Sequence, residues 1–251
     1  MKSQGGTDGD RVRDGTSPFD CSTPRSEAQL SVRDLDGSEN TKAGLVGVNI
    51  AIVDPEGFVA LRQGTFSQCG NRGPIDKDGE ITKQHHHQNW IYCVTSALEN
   101  PDDFMKPKTY TDLFFLDEAT ALSAGHRPCG KCNRSRHDEY LAAWGTFDQS
   151  FSGLTKDIDE QLRRERTDDQ RAKRVFRERA ENLPEGTMVR LGGKAHLLTE
   201  KFAYPWSLDG YGVPVRRSRG EVEVLTPPSS VKVLDSGRFS VSTENLVMKW
   251  T

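Results

Sequence analysis

Phe114–Trp144 reads FFLDEATALSAGHRPCGKCNRSRHDEYLAAW, and the architecture of the rest of the chain turns on how this run is parsed. At its centre Cys129 and Cys132 form a Cys-x-x-Cys, preceded by Arg127-Pro128 and flanked by His126 and His137. Two cysteines so spaced on a tight turn can both reach one ion with sulfur at about 2.3 Å, the usual zinc–thiolate distance. Asp117 is a natural helix N-cap, with Glu118 favourable in the first turn. Ala119, Leu122 and Ser123 follow at helical spacing, and Gly125 is the residue expected to close that helix in the left-handed conformation. The run therefore parses as a strand over Leu113–Leu116, a short helix, a sharp exit, a cysteine knuckle, and a second helix over about Arg134–Trp144.

Upstream, Val46, Val48, Ile50 and Ile52 alternate, and Asp54-Pro55-Glu56-Gly57 makes a turn. Phe58–Leu61 then returns as the second arm of a β-hairpin. Gly64–Gly79 reads as a wide turn in which Cys69-Gly70-Asn71-Arg72-Gly73 could cradle an anion. A histidine triplet, His85–His87, precedes a strand from Trp90 to Val94 that is aromatic and β-branched. Downstream, residues 156–181 are almost wholly charged and have high helix propensity, which predicts a solvated helical arm broken near Thr167-Asp168. Beyond Pro184 the pattern turns β, with a hairpin signal at Gly192-Gly193 and a last strand over Glu221–Leu225. A short helix opens at Thr226-Pro227-Pro228.

The run F-x-D-E-A-x-A-L-x-A-G-H-R-P-C-x-x-C resembles the second half of the N-terminal zinc domain of the Ada methylphosphotriester repair protein family. The likeness covers roughly Tyr110–Asn133, and the whole chain looks like a group of bacterial proteins that carry the same segment. The resemblance implies that Cys129 and Cys132 are zinc ligands. That family takes its other two ligands from an upstream Cys-x-x-x-Cys, one of which accepts the methyl group. This chain has no such motif, and its upstream cysteines are Cys21, Cys69 and Cys93.

A structural zinc site takes four ligands, almost always Cys and His. The resemblance makes Cys93, at the end of an upstream strand, the third. The fourth stays open among Cys69, His85, His87, His126 and His137, with Cys69 preferred because it gives an all-sulfur set. His87 is six residues from Cys93, about 20 Å when extended, too far for one ion without a bend. A redox dithiol is the competing reading of the Cys-x-x-Cys. Such a pair sits at a helix N-terminus after a strand, whereas this one follows a helix and a Gly-x-Arg-Pro turn.

Composition narrows the function. Only 34% of the 251 residues are hydrophobic and 28% are charged, so part of the chain is expected to be solvated. The formal net charge of −3 provides no global field toward nucleic acid, so any such contact must be local. Five cysteines with one Cys-x-x-Cys favour metal and a reducing compartment, with the cytoplasm as the default. No membrane span or signal peptide is read.

The expected class is α+β: a tail over 1–43, an α+β domain with the zinc element over 44–147, the helical arm over 148–182 and a mostly β domain over 183–251. His126, Arg127, Lys131, Arg134, Arg136 and His137 form a local basic patch, so the expected function is a zinc-binding module that contacts DNA or RNA. Arg127, Lys131, Arg134 and Arg136 are its candidate phosphate contacts, and Trp144, Trp206 and Tyr211, with Arg216, Arg217 and Arg219, are a second candidate surface. The alternative is an enzyme, using either a zinc-bound thiolate (Cys93 or Cys69) as methyl acceptor or a zinc-bound water for hydrolysis.

Overall fold

Asp54 closes the first hairpin. Its Oδ1 accepts from the Phe58 amide at 2.9 Å and its carbonyl accepts from the Gly57 amide at 2.9 Å. The hairpin joins β1 (Ile50–Val53) to β2 (Val59–Arg62), antiparallel. The computed structural model describes residues 50–62, 66–71, 89–94, 113–168, 172–243 and 246. The readings of a tail over 1–43, of an anion loop at Arg72 and of His85–His87 as ligands fall outside these residues.

All four β1 residues are buried, so the alternation expected of a half-solvated strand is absent. The reason is that β1 runs parallel to β5 (Leu113–Phe115), Ile52 opposite Phe114, in a sheet covered on both faces. Where a wide turn was expected, Gln68–Gly70 is a strand, β3. It pairs antiparallel with β5 on one side and with β4 (Ile91–Val94) on the other, which satisfies its backbone groups. A two-residue strand, β6 (Arg127–Pro128), runs parallel to β4, and the six-stranded order is β2-β1-β5-β3-β4-β6.

Helix α1 (Glu118–Ser123) starts as expected, with Asp117 Oδ1 accepting from the Thr120 amide at 2.8 Å. It stops at Gly125, whose φ is +87°. A Cβ there would lie 2.8 Å from Cβ of Arg166, so the position suits glycine on two counts. Helix α2 is Arg134–Trp144. Helix α3 (Thr155–Arg166) buries Ile158 and Leu162 at helical spacing.

The predicted helical arm does not continue past α3. Thr167 bridges Lys173, and Phe176–Arg179 is a strand, β7. A ladder to a neighbouring strand outweighs the local helix propensity of those residues. β7 is the edge of a second, antiparallel sheet that also contains β8 (Met188–Leu191), β9 (Lys194–Leu198), β10 (Phe202–Ser207), β11 (Gly210–Tyr211), β12 (Val215–Arg216) and β13 (Glu221–Val224). The order is β11-β10-β9-β8-β13-β7, with β12 on β10. Helix α4 (Pro228–Asp235) follows, with proline in its first turn.

The fold is α+β. One buried cluster runs across the boundary read from composition. Val53, Leu113, Phe115 and Leu122 belong to it, as do Tyr140, Trp144, Ile158 and Leu162 from the helices and Met188, Leu197 and Leu225 from the second sheet. Arg190 of the second sheet also donates to the Glu56 carboxylate at 2.7 and 3.1 Å. Trp144, Trp206 and Tyr211, read as part of an outer surface, point inward, and Trp144 is buried in the core cluster. Trp206 Nε1 donates to Thr120 Oγ1 at 3.1 Å, and the Tyr211 hydroxyl donates to Asp117 Oδ2 at 2.7 Å. Arg217 is likewise withdrawn, donating to the carbonyls of Thr199, Ala180 and Leu183.

Candidate metal centre

Strand pairing aligns three cysteines in one row. Cys69 on β3 stands opposite Cys93 on β4. The parallel pairing of β4 with β6 carries Cys129 alongside Cys93, where the Cys129 amide donates to the Tyr92 carbonyl at 2.9 Å. Period-two alternation puts their side chains on one face. The knuckle then brings Cys132 back over that face, and its sulfur lies 3.7 Å from that of Cys129. The Lys131 amide points at Cys129 Sγ from 3.5 Å, and the Asn133 amide donates to the Cys129 carbonyl at 3.1 Å.

The sulfurs of Cys93, Cys129 and Cys132 all lie within 4.8 Å of one another, close enough to hold a metal ion. Four sulfurs at about 2.3 Å from a tetrahedral zinc are about 3.8 Å apart. The 3.7 Å edge between Cys129 and Cys132 fits that figure. The donor set is soft, which suits zinc or another thiophilic metal. Cys69 is adjacent but outside this trio. Its thiol donates toward the Cys93 carbonyl at 3.6 Å. None of the four is in a disulfide.

Charge within the cluster is uneven. Hydrogen bonds from Cys132, then Cys93, hold the Cys129 thiol far below the usual thiol range. The Cys93 thiol is pushed up, chiefly by the sulfurs of Cys129, Cys132 and Cys69 and then by burial. A metal binds cysteine as the thiolate, so the cluster favours an ion that can hold its sulfurs deprotonated.

The histidines near the knuckle serve packing. His126 is fully buried between the rings of Trp90 and Phe115, and its Nε2 lies 3.2 Å from the Asn71 carbonyl. His137 packs over Gly130, where an added Cβ would meet its ring at 3.2 Å. Burial pushes its imidazole down, toward the neutral form. Among the described residues, neither histidine joins the sulfur trio.

The basic patch largely dissolves. Arg127 is a correction: its side chain is 7% exposed, and it pairs with Asp159 through Nε–Oδ1 at 2.7 Å and Nη2–Oδ2 at 2.8 Å. It anchors the knuckle to α3 and offers nothing to a phosphate. Arg136 lies over the Phe239 ring and donates to the Glu118 and Glu139 carboxylates, with the Tyr92 hydroxyl sharing Glu118 at 2.5 Å. Lys131 and Arg134 are exposed, and Arg134 pairs with Asp138 at 2.9 Å.

Sequence reading missed Asp159. Its signal was present, because Asp159 falls beside Ile158 and on the same α3 face as Leu162 and Arg166, all four buried. A charged residue on a buried helical face needs a partner.

Fold and cluster together define the class: an α+β protein with three converging cysteines placed to bind a metal. No family model, curated protein or solved structure matches the chain. No helix among the described residues is long and apolar enough to cross a membrane.

Proposed function

We propose that a zinc ion held by Cys93, Cys129 and Cys132, with Cys69 as fourth ligand, fastens the end of β4 to the start of α2, and that the role of the site is structural. The observation that carries this reading is the convergence of three sulfurs from two distant segments within 4.8 Å. Cys69 stands opposite Cys93 in the sheet, and to join the set it would turn its thiol from the Cys93 carbonyl toward the trio. A closed all-sulfur set suits a structural zinc, whereas hydrolysis needs an open position. Methyl acceptance at Cys93 or Cys69 is disfavoured, because each is 1% exposed.

The test is zinc quantitation on protein purified under reducing conditions, with Cys→Ser variants at 69, 93, 129 and 132. One zinc per chain is expected, lost in the 93 and 129 variants and weakened in the 69 variant. Folded, metal-free protein would overturn the reading, and wild-type affinity after Cys69→Ser would remove Cys69 from the ligand set.

A second reading, contact with DNA or RNA phosphate, draws support from Lys131 and Arg134, the exposed cations beside the N-terminus of α2. Asn133 there makes no side-chain cap bond. Helix N-termini attract phosphate. Two contacts predict that log affinity for a short duplex falls with log salt at a slope of about −1.8. Binding that ignores salt, or survives loss of both side chains, rules this reading out.

A further inference from the structure

Cys132 differs from its neighbours in reaching solvent. Cys69, Cys93 and Cys129 are 1%, 1% and 2% exposed, whereas Cys132 is partly exposed. Its sulfur stands 3.7 Å from that of Cys129. The placement of the pair also departs from the sequence expectation. β6 intervenes after α1, so the Cys-x-x-Cys lies between a strand and the first turn of α2. That is the setting in which redox dithiols occur. An accessible sulfur beside a resolving cysteine is the arrangement that oxidants select.

We propose that Cys132 and Cys129 form a peroxide-sensitive release for the metal, a reading that rests on the zinc site above. The Cys132 thiolate attacks one oxygen of hydrogen peroxide. The O–O bond breaks, and the departing hydroxide takes a proton and leaves as water. Cys132 is then a sulfenic acid. The Cys129 thiolate attacks that sulfur, the S–O bond breaks, and the second hydroxide is protonated to water. The two sulfurs lose two electrons, and the peroxide is reduced to two waters. Joining them shortens 3.7 Å to about 2.05 Å, which side-chain rotation at the partly exposed Cys132 supplies. Two donors are withdrawn, and the two buried thiols left, Cys93 and Cys69, hold zinc weakly. A thiol reductant restores the pair.

The experiment titrates zinc-loaded, full-length chain with hydrogen peroxide, beside a zinc-responsive chromophore, and maps the product by peptide mass spectrometry. The expected result is one zinc released per peroxide consumed, a product lighter by two hydrogens, and a Cys129–Cys132 cross-link that dithiothreitol reverses. As a check independent of any variant's folding, alkylation of the native zinc-loaded chain labels Cys132 first. Zinc retained at peroxide levels that oxidise glutathione overturns the inference. So does release that leaves 129 and 132 unjoined. A chain that never holds zinc under reducing conditions overturns the metal reading itself, and the release with it.

Discussion

Replacing Asp159 by alanine separates two opposed views of Arg127. If Arg127 served a surface, loss of its partner would cost about 0.2–1 kcal/mol, as for an exposed ion pair. Both side chains are instead nearly sealed, 7% and 10% exposed, and share two hydrogen bonds of 2.7 and 2.8 Å. Removing one partner of such a pair leaves an uncompensated buried charge and costs about 3–5 kcal/mol. With a urea m-value of about 3 kcal/mol per M, the unfolding midpoint should fall by about 1–1.7 M at unchanged m. The double variant Arg127→Met with Asp159→Leu removes both charges at similar volume and should recover most of that loss. A single-variant cost under about 1 kcal/mol would refute the reasoning.

Two further outcomes follow from the backbone at Gly125 and from the buried tyrosines. Gly125→Ala forces a side chain into φ +87° and against Arg166, so urea denaturation should show a loss of at least about 1–2 kcal/mol; a neutral result would mean that the α1 exit is not as described. Burial raises the phenols of Tyr92, Tyr140 and Tyr211 above the ordinary value, so alkaline absorbance titration should find these three of the five tyrosines silent near pH 10. A raised folded pKa gives stability that is intact below the unfolded value of about 10 and is lost as pH rises beyond it, so the missing signal should appear together with unfolding. Full ionisation of a folded chain at pH 10 would contradict their burial.

What was legible in the sequence was local. Asp117 as a cap, Gly125 as a stop, α2 over Arg134–Trp144 and the Gly192-Gly193 hairpin each depend on a few neighbouring residues. What was not legible depends on distant pairing. Gln68–Gly70 is a strand because β4 and β5 flank it, and Phe176–Arg179 is one because β13 lies beside it, whatever their composition suggests. Arg127 could be placed in the site from sequence, but its role required knowing that Asp159 lies across from it, 32 residues on. Among the cysteines, Cys129 and Cys132 announced themselves by spacing. Cys93 and Cys69 are named from the resemblance and from the need for two more donors, and sheet register supplies the physical reason that they lie in one row with Cys129.

That row of cysteines has a consequence for how the chain reaches its native arrangement. A slip of β4 by a single residue would turn Cys93 to the opposite face and present the Tyr92 ring to Cys129 instead. Such a mispaired sheet could keep much of its backbone bonding, yet it would lack a sulfur where the knuckle needs one. An ion taken up at this point would therefore act as a proofreader of strand alignment, rewarding one pairing among several of similar energy.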